Sequence, residues 1–167
     1  MPVNSDPEIH NLIIAANMFV KRDGKLLVIK RSPLKTYMPG FVQPVGGKVA
    51  INEGPLQAAE RELFEEAGLH VKNIRLEAVS TDVHQDGVNN WEAFYFSGDY
   101  DGGDAHTSID EGELLWLTPE QIKQEKILDS IERIIDNIHS PDHAALFLNY
   151  EWDEDNHAIL KSLARTS

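Results

Sequence analysis

The stretch that decides the fold is "GGKVAINEGPLQAAERELFEEAGL", Gly46 to Leu69. It opens on two glycines, closes on Gly68-Leu69, and holds five glutamates: Glu53, Glu60, Glu62, Glu65 and Glu66. Pro55 suits the first turn of a helix, where its missing N–H is not needed, and Gly68 suits the stop. The spacing therefore predicts a helix from Pro55 to about Gly68. At 100° per residue, Leu56, Ala59, Leu63 and Ala67 share a narrow apolar arc that can pack on a sheet. Glu62, Glu65 and Glu66 stand beside it at i, i+3 and i+4, where like charges repel. Arg61, four residues before Glu65, can pair with it, but one arginine does not neutralise the group. Clustered carboxylates become stable when a divalent cation sits among them. Mg²⁺ and Mn²⁺ prefer such hard oxygen ligands, keep several waters, and are typically shared with substrate phosphates.

Around this segment the chain alternates between strands and helices. "NLIIAANMFV" (11–20) and "LLVIKR" (26–31) read as strands joined by a tight turn at Asp23-Gly24. "FVQP" is a short strand, and residues 46–54 read as a glycine-containing loop. "IRLEAVSTDVH" and "WEAFYFSGDY" are long strands around a polar turn, Gln85 to Asn90. "ELLWL" is another strand, and "TPEQIKQ" is a helix start with Thr118 as its cap. Apolar residues at 127, 128, 131, 134, 135 and 138 mark a second one-sided helix. "ALFLNYEW" and "HAILKSL" close the chain as a hairpin around Asp153 to Asn156. The reading is a single α/β domain over residues 1–167.

Composition narrows the partners. The formal net charge of −13 repels nucleic acid polymers and anionic lipid. A small polyphosphate meets the same repulsion unless metal ions intervene. No run of eighteen apolar residues suggests a membrane span. The N-terminal "MPVNSDPEIH" lacks the apolar core of a signal peptide. Cysteine is absent, which removes disulfides and thiolate chemistry together. These features fit a cytoplasmic protein, as a monomer or a homodimer.

From Gly47 the pattern runs glycine, five residues, Glu53, seven residues, then Arg61-Glu62-Leu63-Phe64-Glu65-Glu66-Ala67-Gly68-Leu69. This resembles the Nudix box, G-x5-E-x7-R-E-U-x-E-E-x-G-U with U aliphatic, at every specified position. "LLVIKRS", "PGF" and "EGELLWL" are similar to segments of MutT-like members, so the likeness extends over most of residues 11–120. The resemblance implies an α/β/α sandwich with a mixed β-sheet. It also implies metal-dependent hydrolysis of a nucleoside diphosphate linked to another group, by water attack on the pyrophosphate bridge. Carried over, Glu62, Glu65 and Glu66 are the metal ligands, helped by the backbone carbonyl of Gly46. Glu53 and Arg61 form a pair that fixes the loop to the helix. Glu62 is the first choice of general base. MutT-like members often add a glutamate from a loop before a late strand. Asp110, Glu111 and Glu113 are on offer, and Glu111 is favoured because Glu113 begins the strand. The cofactor expected is Mg²⁺ or Mn²⁺. Glu60 matches no specified position and reads as a surface charge. Ala50 and Asn52 stand where Glu and Gly are common, and "PVGG" stands where "PGG" is common; these affect the loop's shape and not the specified positions.

Substrate contacts are less legible. Arg31, Lys48 and Lys35 are cations placed to meet phosphates. Phe41, Trp91, Tyr95 and Trp116 are candidates to stack on a base. The leading substrate is a nucleoside triphosphate, oxidised or not, giving a monophosphate and pyrophosphate. Nucleotide sugars, ADP-ribose, dinucleotides and a nucleotide sensor without turnover are the alternatives. Intact box glutamates argue against the sensor. "DYDGGDAHTSIDE" fails as a calcium loop, since Gly103 takes a ligand position and Asp104 the turn glycine's. The histidines show no zinc spacing.

Overall fold

The computed structural model describes residues 12–85 and 90–166. The N-terminal segment, Asn11 of the first expected strand, and residues 86–89 of the expected polar turn lie outside the described residues. Strand β1 (Leu12–Arg22) turns at Asp23 and Gly24, both with positive φ (51° and 73°), into β2 (Lys25–Arg31). That backbone twist matches paired antiparallel strands. There follow β3 (Val42–Gln43), β4 (Val45–Lys48), helix α1 (Pro55–Ala67), β5 (Val71–His84), β6 (Asn90–Tyr100), β7 (Gly112–Leu117), α2 (Pro119–Lys123), α3 (Asp129–Ile138), β8 (Leu146–Trp152) and β9 (Ala158–Arg165).

The strands form one mixed sheet ordered β3-β2-β1-β6-β5-β8-β9, with β4 paired to β1 and β7 to β2. The β1–β6 and β5–β8 pairs are parallel, and the remaining pairs antiparallel. Alternation along β1 sends Ala16, Met18 and Val20 to one face, where they meet Ala58, Ala59, Leu63 and Ala67 of α1. Phe19 points to the other face, into a core with Ile131, Ile134, Ile135 and Ile138 of α3. Helices thus cover both faces, the α/β/α sandwich expected from the sequence. Each fully buried isoleucine on α3 contributes on the order of 1.5–3 kcal/mol of transfer free energy.

Three local readings are corrected. Residues 46–48 are not loop but part of β4, antiparallel to β1 with Gly46 opposite Asn17 and Gly47 opposite Ala16. Two glycines hide the strand because they lack the side chains that give strand propensity its signal. On α1, Leu56 is 41% exposed and Ala58 is buried, so alanines, not leucine, set the close approach of helix to sheet. Helix α3 begins at Asp129; Leu128 is its extended N-cap (φ −77°, ψ 152°), and Ile127 with Leu128 packs on the core from the preceding loop.

The terminal hairpin extends the sheet. In β8, Leu146, Leu148, Tyr150 and Trp152 are buried on the α3 side and the residues between them are exposed. The outer strand β9 is largely exposed and carries Lys161 and Arg165, charges suited to an unpaired edge. Among the described residues no helix is long and apolar enough to cross a membrane.

Candidate active site

Helix α1 sets the first half of the site. Its N-cap is Gly54, whose N–H donates to the Gln57 side chain at 3.0 Å, and Gly68 ends it in the left-handed conformation (φ 68°). With both ends fixed, the glutamates project from known positions. The Arg61 guanidinium donates to Glu53 Oε1 at 2.6 Å, to Glu62 Oε1 at 2.8 Å and to Glu65 Oε2 at 2.9 Å. It also reaches the Lys48 carbonyl at 3.3 Å. Glu53 in turn accepts from the Ala50 N–H at 2.9 Å. Arg61, then the Ala50 N–H, hold the Glu53 carboxyl down to about 2. The loop 49–54 is thereby tied to the helix by a charge-assisted fork. Arg61 engages three glutamates where the sequence suggested mainly one or two.

Glu66 has a different environment. Burial, with repulsion from Glu62 and Glu111, pushes its carboxyl up to about 7, against a Gly46 backbone hydrogen bond and Lys35. Glu62 and Glu111 thus both bear on Glu66 electrostatically, although Glu111 comes from the loop before β7. Lys35 pairs with Glu111 at 2.8 Å. Glu65 lies further out, its side chain 55% exposed. Glu113 instead starts along β7 and, with Asp110, borders an open trough of about 990 Å³ between the loops after β2 and before β7.

The glycine pair of β4 separates the carboxylates from a second hollow. A Cβ on Gly47 would lie 2.5 Å from the Glu62 carboxyl carbon, so this residue faces α1. A Cβ on Gly46 would meet the Ala16 carbonyl oxygen and the Asn17 side chain. Behind these residues is a cavity of about 300 Å³ bordered by Gly46, Gly47 and Lys48, within the range of small-ligand pockets. Asn17, Arg31, Tyr37, Trp91 and Tyr95 line it as well, and β5 and β8 contribute Asp82, His84 and Trp152.

The predicted substrate contacts divide here. Arg31 borders both hollows and donates from Nε to the Tyr37 carbonyl at 3.0 Å. Lys48 and Trp91 meet in the smaller cavity, with Nζ 5.5 Å from the ring centroid. Phe41 does not line that cavity; its ring is covered by Lys126 Nζ at 4.5 Å. Trp116 packs edge-on to Tyr100 beside the α1-side core and is likewise apart. Sequence reasoning missed Asp82, His84 and Trp152. A signal was present: Ala78, Ser80, Asp82 and His84 alternate along one strand, so the inward face turns polar toward its end.

A divalent ion fits the donor set, because carboxylates crowd Glu66 with one lysine to offset them, and hard cations take such oxygens. Among the described residues no three acidic or histidine side chains already converge as a cation cage. Arg61 occupies one oxygen each of Glu62 and Glu65, so a bound ion would compete with it for them.

Comparison with known proteins supports the same conclusion. The family model of the NUDIX domain matches residues 11–138. A MutT-like protein of Streptomyces ambofaciens is 26% identical over 145 residues, covering 83% of this chain and 88% of that protein. An 8-oxo-dGTP diphosphatase of Proteus vulgaris is 42% identical over 65 residues, 39% of this chain and 57% of that protein. The crystal structure of a mutator MutT protein from Bacillus halodurans superposes with a TM-score of 0.76 at 23% identity, covering 92% of this chain and 97% of that one. This last likeness covers a larger share of the chain than the family model does. The chain belongs to the Nudix family, as a MutT-like hydrolase acting on nucleoside diphosphate derivatives.

Proposed function

We propose that this hydrolase cleaves a nucleoside triphosphate, oxidised or unmodified, to the monophosphate and pyrophosphate, with Mg²⁺ or Mn²⁺ held by Glu62, Glu65, Glu66, the Gly46 carbonyl and Glu111. The observation that carries the reading is the thin wall made by Gly46 and Gly47. The Glu62 carboxylate stands against one side and a nucleotide-sized hollow lies on the other. A phosphate chain leaving that hollow passes directly over the glycine backbone to the carboxylates. The metal supplies charge neutralisation on the non-bridging phosphate oxygens and acidifies water beside it.

The chain's own residues do the rest. Arg61 and Glu53 form the brace that fixes where Glu62 and Glu65 stand, so the geometry is set before substrate arrives. Glu62 takes the proton of the attacking water, a transfer that contributes on the order of 10²–10⁴-fold in rate. Lys48 and Arg31 meet the phosphates at the mouth of the cavity, and Trp91, close to Lys48, flanks the nucleoside. The name of the Proteus vulgaris relative, matched over part of its length, supports a purine triphosphate as the first substrate to assay.

The test is a panel of nucleoside triphosphates, nucleotide sugars and ADP-ribose with Mg²⁺ or Mn²⁺, run on the intact protein and on Glu66→Gln. Triphosphates should release pyrophosphate only with metal, and the variant should lose at least about a hundredfold in kcat. Release of inorganic phosphate instead, or a fully active variant, overturns the assignment.

A further inference from the structure

The smaller cavity holds an acid that the chemistry above does not use. Asp82 projects from β5 into it, half-buried, and the indole Nε1 of Trp152 donates to its Oδ1 at 2.7 Å. The Ser80 hydroxyl donates to Oδ2 at 2.9 Å. Both partners are neutral, and among the described residues no lysine or arginine pairs with this carboxylate. Burial raises its carboxyl above the usual range, against those two donors and His84. Keeping a carboxylate in such surroundings costs free energy that a neutral residue would avoid. The tie between β5 and β8 does not require it, since the parallel register from Ala78–Leu146 to His84–Trp152 already joins them.

The surroundings describe what the acid can do. Each oxygen has accepted one protein donor and keeps room for another, because an ionised carboxylate offers about four lone-pair sites. Beside it His84 stacks on Trp152 at 5.3 Å with planes 12° apart, and Trp91 sits opposite Asp82 on β6. A flat, donor-bearing ring entering this space finds aromatic walls and an acceptor pair at the far end from Gly46 and Gly47.

We propose that Asp82, aimed by Trp152, is the specificity-determining residue of this cavity and selects a nucleobase presenting an N–H beside an NH₂, the edge that guanine carries. This rests on the nucleotide reading of the same cavity. Trp152 lies beyond residues 11–138, so the terminal hairpin is part of the substrate site and not a passive extension of the sheet. Trp152 acts as a positioning residue: it holds the carboxylate so that its unused lone pairs face the base. A site built to satisfy such an edge discriminates strongly against an analogue that leaves the buried acceptor without its partner.

Two readouts separate this inference from the catalytic assignment. The first is calorimetric binding of GMP, IMP, 1-methyl-GMP and AMP to the intact protein, which needs no turnover. GMP should bind about tenfold tighter than IMP, which lacks the amino group, and 1-methyl-GMP and AMP should bind more weakly still. The second is hydrolysis of GTP against ITP and ATP by the intact protein, Asp82→Asn and Trp152→Phe. Asp82→Asn keeps an acceptor for Trp152 but turns an amide toward the base. It should abolish the preference for GTP over ITP, and do so through KM. Trp152→Phe keeps an aromatic ring beside His84 and should narrow the same preference in part. Equal binding of GMP and IMP overturns the proposal without any variant. So does a uniform loss across all bases in Asp82→Asn, which would mark a merely structural acid. Base discrimination in binding without hydrolysis would instead sustain the role of Asp82 and defeat the catalytic reading.

Discussion

Helix α1 and the inward face of β5 and β8 flank the same glycine pair from opposite sides, and they hold their acids differently. On α1 the Glu53, Glu62 and Glu65 carboxylates converge on one guanidinium, within a single stretch of sequence. On the other side Asp82 is held by an indole from a strand 70 residues away and by a hydroxyl two residues away. Charge is partly offset by charge in the first region and solvated by neutral dipoles in the second. Under the proposed function the first arrangement suits chemistry common to every substrate, because it would meet the phosphates. The second suits discrimination, because an acceptor without a fixed cation remains available to the ligand.

Removing an acid from each side is the strongest way to sharpen this contrast. Glu62→Gln should lower kcat by at least about a hundredfold for GTP, ITP and ATP alike. Its thermal midpoint should stay close to that of the parent, since Glu62 is not part of either apolar core. If its loss depended on the base, the division between chemistry and recognition would break down.

A smaller effect separates the two faces of one strand. Gly46→Ala would push a methyl to 2.3 Å from the Ala16 carbonyl oxygen and 2.7 Å from the Asn17 Cα. Backbone cannot yield there, so we expect a loss of about 1–3 kcal/mol in stability, seen as a drop of several degrees in Tm. The nearest atoms that Gly47→Ala meets are the end of the Glu62 side chain, at 2.5–2.7 Å. That flexible carboxyl can swing away, so Tm should hold while kcat falls by about 10–100-fold through misplacement of the group. Equal effects on Tm from both alanines would contradict the assignment of the two residues to opposite faces.

The same contrast explains what the sequence disclosed. The helix, its brace and its carboxylates lie within Gly46–Leu69, where helical spacing alone puts Glu62, Glu65 and Glu66 together, and Glu111 could be proposed by likeness to relatives. The apolar stripes of α1 and α3 were legible from helical spacing, and the sandwich that sets them on opposite faces of the sheet came from likeness to relatives. Strand β4 was not legible, because Gly46 and Gly47 pair with β1 without contributing a side chain that betrays it. The Asp82–Trp152 contact was hidden for another reason. It depends on the parallel register of β5 and β8, and pairing between strands separated by a helix has no local signature. Phe41, expected to stack on a base, stands outside the smaller cavity with its ring covered by Lys126.

The brace offers the mildest test, one that changes the shape of a pH profile more than its height. Glu53 has its carboxyl lowered from 4.5 to about 2 by Arg61 and the Ala50 N–H. A depressed carboxylate adds stability that is fully present above its unfolded-state pKa and is lost as pH falls through its folded one. The advantage of the parent over Glu53→Gln should therefore hold from neutral pH to about 5 and shrink between about 4.5 and 2. Glu66 titrates with the opposite sign, its raised carboxyl disfavouring the folded metal-free chain as pH rises toward about 7. That contribution is common to both proteins and cancels in their difference, so the midpoints are compared in chelator at each pH. A gap that stays constant down to pH 2 would mean that Arg61 does not depend on the Glu53 charge. The glutamates of α1 would then be held by Arg61 through Glu62 and Glu65 alone, and the loop 49–54 would have to be fixed by its backbone contacts.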